Sequence, residues 1–194
     1  MVNISDYDII LASNSPRRKE LLAHVVPNFK VKTKEVEEIY PHELEKNTVA
    51  EYLAKLKVSV FQEIRNNEII ITADTIVLLK NTIFGKPKDR DDAINILQQL
   101  SGKKHQVITG VCIKSKYKEL TFSHTTNVLF KKLTLDEITY YIDKFKPYDK
   151  AGAYAIQEWI GFVGVEKIDG DYNNIVGLPV QELYVKLNEF LTKM

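Results

Sequence analysis

The chain has 194 residues, 44% of them hydrophobic and 27% charged, with a formal net charge of +1. That is enough for one well-buried core or two small lobes sharing a cleft, and the near-neutral balance argues against a general nucleic-acid binder, which carries a basic face or tail. The single cysteine, Cys112, excludes an internal disulfide and a Cys-rich metal site, and reads as a small buried residue in a strand.

The N-terminal stretch shows neither the basic region nor the apolar core of a secretory signal. No apolar run approaches the ~20 residues that span a bilayer. A cytoplasmic protein without a membrane partner is expected. Ile9-Ile10-Leu11-Ala12 predicts a buried strand feeding a helix, with Ser15 as N-cap and Pro16 in the first helical position. Arg17, Arg18 and Lys19 then place three cations on a turn whose unpaired amides already carry partial positive charge. Amides, Ser13 and Ser15 hydroxyls and two guanidiniums at one point make a phosphate receptor. The plainer reading is a solvated basic helix start.

Phe29 to Lys34 alternates as a half-buried strand, and Glu35-Val36-Glu37-Glu38 breaks into an acidic loop. Thr48-Val49-Ala50-Glu51 has capping-box form and opens a helical pattern running on towards Asn66. Ile69 to Ala73 predicts a central strand ending in Asp74-Thr75, followed by a second apolar stretch, Ile76 to Leu79. Lys80-Asn81-Thr82 turns back into Ile83-Phe84 as a hairpin, and Gly85-Lys86-Pro87 follows as a turn. Asp89 caps a helix that Ser101-Gly102 stops. Two long strands are expected over His105–Lys114 and Glu119–Lys131, joined at Lys116-Tyr117. Thr134-Leu135-Asp136-Glu137 opens a short helix that Pro147 closes. Asp149 to Gly177 reads mostly as loop or hairpin with a turn at Asp169-Gly170, and Pro179 starts a terminal amphipathic helix. This alternation predicts a mixed α/β protein, one domain over 1–194 with two sub-lobes.

Asp74 at the end of a buried strand is the strongest acidic position, because a buried unpaired carboxylate costs several kcal/mol and ligands sit beyond the carboxyl ends of strands. It is a candidate general base or metal ligand, against the plainer role of an N-cap or Asx-turn residue at the Thr75 corner. Glu37 and Glu38 are weaker, since acidic loop pairs are usually solvated; a phosphate site nearby is what would make one a Mg²⁺ ligand. The four histidines, His24, His42, His105 and His124, show no metal spacing and read as structural or surface residues. No G-x-x-x-x-G-K-[ST] loop, G-x-G-x-x-G fingerprint or G-x-S-x-G elbow occurs.

Several stretches in order resemble the Maf family of nucleoside triphosphate pyrophosphatases. They are Ala12 to Arg18, Ala73-Asp74-Thr75, Gly85-Lys86-Pro87, Leu100-Ser101-Gly102, His105 to Thr109, Asp149 to Gln157 and Asn174 to Pro179. The resemblance implies a Maf/ITPase-like mixed α/β fold, an elongated twisted mixed sheet with flanking helices and two sub-lobes around a central cleft. It implies hydrolysis of a nucleoside triphosphate to the monophosphate and pyrophosphate with a divalent cation, Mg²⁺ or Mn²⁺, and a homodimer. On the matched positions, Asp74 is the proton acceptor, Arg17, Thr75 and Gln157 bear on specificity, and Lys57 and Lys86 hold phosphate. Ser13, Ser15 and Arg18 join them from the phosphate reading of the helix start, with supporting structure as the other role open to Arg18. Glu38, with Asp74, stands near the metal. Around Lys57 the chain departs from the commoner pattern, with Leu56 and Val58 in place of Glu and Ala, and Lys55 is the rival lysine.

Ala151 to Gln157 is similar to the branch acting on dTTP and UTP, a housecleaning activity on normal or modified pyrimidine nucleotides. A Gln amide complements the N3–H and O4 of uracil or thymine, so Gln157 is suited to read that edge; it could equally satisfy loop backbone. The alternatives are a non-catalytic nucleotide-binding regulator of septum formation, or the same chemistry on a purine or modified nucleotide.

Overall fold

The computed structural model describes residues 4–192. Met1 to Asn3, where the N-terminal reading begins, lie outside the described residues. The first strand and helix form where the sequence places them. β1 (Asp8–Leu11) runs into α1 (Pro16–Ala23), capped by the Ser15 side chain with proline at the helix start. β2 is only Lys30–Val31 and both residues are exposed, so the half-buried strand expected to Lys34 is confined to two residues pairing parallel with β1 at the sheet edge.

α2 (Val49–Ser59) starts after a 3-10 turn, and Thr48 Oγ1 donates to the Glu45 carbonyl rather than capping the helix. The helix stops at Ser59, yet Phe61 and Ile64 still enter the core as irregular chain. That is why an apolar pattern suggested helix as far as Asn66. β3 (Glu68–Leu79) parallels β1 and is continuous through Asp74 and Thr75, so Asp74 stands in mid-strand and not at a strand end. The two apolar stretches are one strand because the second pairs with β4 (Thr82–Phe84) across the Lys80-Asn81 turn.

α3 (Arg90–Leu100) carries the Asp89 cap, Asp92 N–H donating at 2.8 Å, and ends at Ser101. β5 (Lys104–Lys114) and β6 (Glu119–Phe130) are the two long strands expected. α4 (Leu135–Phe145) has the full capping box between Thr134 and Glu137. The stretch from Asp149 to Gly177 is more regular than its glycines suggest. It contains α5 (Trp159–Gly164), β7 (Val165–Asp169) antiparallel to β6, and α6 (Tyr172–Val176). α7 (Val180–Thr192) closes the fold and buries Leu183, Leu187 and Phe190.

The seven-stranded sheet is mixed, in the order β2-β1-β3-β5-β6-β7 with β4 on β3. The chain forms two compact units, one of Met1–Asp74, Thr109–His124 and Gly177–Met194, the other of Thr75–Ile108 and Thr125–Val176. In the first, Ile10, Ala54, Val58, Ile70 and Cys112 pack together. There β5 crosses the start of α2 so closely that a Cβ on Gly110 would lie 2.3 Å from the Ala50 carbonyl. In the second, Leu97, Leu100, Val128, Phe130, Tyr141 and Ile160 form the core. Among the described residues no helix is long and apolar enough to cross a membrane.

Candidate active site

In the first unit, the site begins where β1 ends. Ala12 N–H donates to the Ile71 carbonyl at 2.8 Å, and there pairing of β1 with β3 stops. The chain turns through Ser13-Asn14-Ser15, with Ser15 N–H on Ser13 Oγ at 3.2 Å and Arg18 N–H on Ser15 Oγ at 3.4 Å. Ser13 is thereby buried under the helix start that the sequence predicts.

Arg18 folds back under this turn. Its Nη1 donates to the Ala73 carbonyl at 2.8 Å and its Nε to the Gly177 carbonyl at 2.9 Å, with Ser13 Oγ 3.4 Å from Nη1. Burial pushes the pKa of the guanidinium below its ordinary value, opposed first by the charge of Asp74. A fork bonded to two backbone carbonyls locks the turn to β3 and to the residue before Leu178. Arg17 sits beside it on the first turn of α1, half-buried.

Asp74 lies on β3 just past the end of β1, its side chain 11% exposed. Its Oδ1 is ion-paired with Lys57 Nζ in the last turn of α2, and Lys57 Nζ is also 3.1 Å from Glu38 Oε1. The two rival lysines differ in their surroundings. Lys55 is 66% exposed and 3.6 Å from Glu119, whereas Lys57 reaches Asp74. Glu37 is exposed, and Glu38 is the member of the acidic pair that turns to Lys57.

Two carboxylates converging on one ammonium outline a cation position, with Lys57 as the present charge. Among the described residues no group of three or more His, Cys, Asp or Glu side chains is arranged to hold a metal. Glu38 and Asp74 nonetheless fit Mg²⁺, which takes oxygen ligands, keeps several waters and is commonly completed by substrate phosphates.

In the second unit, Thr75 is half-buried and Lys86 is exposed on the turn after β4. Gly152 N–H donates to the Gly85 carbonyl at 3.0 Å, joining the Lys86 turn to the segment that leads to Gln157. Gly152 has φ +70°, and a Cβ there would meet Val77 Cγ2 at 2.7 Å, so glycine is required for both conformation and space. Oε1 of Gln157 is buried and accepts no hydrogen bond among the described residues. Such an orphaned acceptor is costly unless a ligand donor meets it.

His24, His42 and His124 take no part in this cluster. His124 Nδ1 is 2.8 Å from Glu182 Oε2, and His105 Nε2 is 2.8 Å from the Tyr154 hydroxyl. What sequence reading did not find is the support behind Gln157. Tyr141 carries no local signal of such a role, although the adjacency of Glu158 to Gln157 is visible in the chain.

The family model described as "Maf-like protein" matches residues 8–190. A Flavobacterium psychrophilum protein named dTTP/UTP pyrophosphatase is 49% identical over 180 residues, covering 92% of each chain. One of the same name from Phocaeicola vulgatus is 50% identical over 189 residues, 96% of this chain and 98% of its own. Another, from Bacteroides fragilis, is 48% identical over 191 residues, 97% of this chain and 99% of its own. Among solved structures, the Staphylococcus aureus Ham1 protein superposes with a TM-score of 0.56 at 18% identity, covering 94% of this chain and 98% of that one, a likeness of fold alone. With a family match over nearly its whole length and relatives at about half identity, this chain belongs to the Maf-like protein family.

Proposed function

We propose that this protein is a nucleoside triphosphate pyrophosphatase that hydrolyses dTTP and UTP to the monophosphate and pyrophosphate, clearing them or modified pyrimidine relatives from the nucleotide pool. The observation that carries the reading is the buried Asp74 carboxylate ion-paired with Lys57, which Glu38 also reaches, beside the Ser13–Arg18 turn. The name shared by relatives covering almost the full chain supports the same chemistry and substrates.

Asp74 takes a proton from the water whose oxygen bonds to the α-phosphorus. The bond from that phosphorus to the bridging oxygen breaks, and pyrophosphate leaves in line. Lys57, Lys86 and Arg17 oppose the charge growing on the phosphate oxygens, while Ser13 and Ser15 present hydroxyls and the helix start presents amides. Arg18 holds that turn in shape through its carbonyl contacts. Glu38 and Asp74 would hold a divalent cation, which would supply Lewis-acid polarisation of the phosphates. Gln157 accepts the N3–H of uracil or thymine at its orphaned Oε1 and donates to O4, with Thr75 and Arg17 as the other specificity positions.

The test is a nucleotide panel with Mg²⁺ or Mn²⁺, assaying monophosphate and pyrophosphate. Equimolar monophosphate and pyrophosphate from dTTP and UTP is the expected result. Thermal protection by nucleotide without turnover would replace this reading with that of a binding regulator. Turnover confined to purines would keep the chemistry and remove the pyrimidine assignment.

A further inference from the structure

Next to Gln157 in the chain begins a partly buried polar network that the reaction above does not use. Tyr141, fully buried on α4, donates to Glu158 Oε2 at 2.5 Å and accepts the Ala155 N–H at 3.0 Å. Glu158 Oε1 is 3.4 Å from Lys150 Nζ, which is itself 2.7 Å from Asp149 Oδ1. The Lys150 side chain is only 10% exposed. Lys150 and Glu158 thus bind the two ends of the segment to each other, and Tyr141 fixes its middle. Burial, and after it the bond to Glu158, pushes the pKa of the Tyr141 hydroxyl well up, so it remains a donor.

This segment is bent where bending is costly. Gly152 and Ala153 both have left-handed φ, +70° and +58°. A non-glycine residue persists there only when its surroundings over-determine it. Gln157 is joined directly to Glu158, so the contacts that anchor Glu158 constrain the backbone from which the Gln157 amide projects, and the oxygen of that amide has no partner among the described residues. Recognition by a bidentate amide tolerates errors of only about 0.5 Å.

We propose that Tyr141, Glu158 and Lys150 are positioning residues for nucleobase selectivity, a clamp that fixes the Gln157 amide for the N3–O4 edge of a pyrimidine nucleotide. The proposal rests on the role given to Gln157 above. Buried polar networks lose more than one bond's worth when a member is removed, so the clamp answers to single substitutions.

The experiment measures kcat/KM for UTP and for CTP on the full-length protein, with thermal midpoints in parallel. Both bases fill the same pocket, so their ratio reads the N3–O4 edge, and it does not depend on the fraction of protein folded. Tyr141→Phe is expected to lower the UTP-to-CTP ratio by about tenfold or more. Glu158→Gln and Lys150→Met should lower it less, while Lys150→Arg keeps the wild-type ratio. In a Gln157→Ala background, Tyr141→Phe should add no further loss, because both act through one amide. A wild-type ratio in Tyr141→Phe, with or without a lowered midpoint, overturns the clamp. If that variant does not fold, the same ratio in Glu158→Gln and Lys150→Met decides. A wild-type protein that does not prefer UTP overturns the role of Gln157 itself, a result distinct from a selective wild type with equally selective variants.

Discussion

A carboxylate in the middle of a buried strand persists only with a partner, and Asp74 has one in Lys57. The pair accounts for the presence of the acid, and the pairing of β1 with β3 ends at Leu11 and Ile71, before Asp74 is reached. Replacing Asp74 with Asn keeps the size and removes the base. Pyrophosphate release from UTP should fall at least ~10²-fold, the range for general-base catalysis, and near-normal release would end the assignment. At Gln157 the prediction concerns a ratio. Gln157→Ala should lower kcat/KM for UTP relative to GTP, by about tenfold or more, because the orphaned acceptor that rewards N3–H is gone. An unchanged ratio would remove Gln157 from base recognition. Arg17 and Arg18, adjacent in sequence and equal in chemistry, part company in the fold. Contacts with the Ala73 and Gly177 carbonyls, far along the chain, give Arg18 its supporting place.

Among the elements, those closed by local signals were legible. Ser15-Pro16, Asp89 and the Thr134–Glu137 box each state a helix start in four residues, and each helix begins there. The Thr134 box is doubled by Lys131, whose Nζ is 2.6 Å from Glu137 Oε1. Thr134→Ala should cost about 1 kcal/mol of stability in chemical denaturation, with catalytic constants unchanged. An unchanged midpoint would show that the cap contributes nothing to this fold. The segment from Asp149 to Gly177 was not legible, for an identifiable reason. β7 is a strand because β6 offers it an edge at Asn127 to Phe130, a pairing about forty residues distant that no local pattern announces. Thr48 failed as a cap through context as well, its hydroxyl taken by Glu45 in the preceding turn.

For the molecule as a whole, the informative titration belongs to His105, buried in the second unit. Its ring meets Phe130 and Tyr154 edge-on, at 5.0 and 5.6 Å between centroids. Burial lowers its pKa from 6.5 to about 4. The unfolded chain therefore binds one more proton between these values, and stability rises with pH across that window. The neutral ring's contribution is complete above pH 6.5 and lost progressively as the pH falls to about 4, a change of about 3 kcal/mol. Urea unfolding of wild type and His105→Phe between pH 4 and 7 should show a slope shallower by one proton in the variant. Equal slopes would exclude His105 as the source. The sequence by itself determined the helix caps at Ser15, Asp89 and Thr134, the β3–β4 hairpin, the long strands and the family, because these rest on neighbours within a few positions or on a motif order. Only the tertiary structure decided that Asp74 sits in mid-strand, that Lys57 and not Lys55 meets it, and that Arg18 supports the turn while Tyr141 supports the Gln157 segment. Each of those depends on which distant atom lies within three ångströms, and chain order does not encode that distance locally.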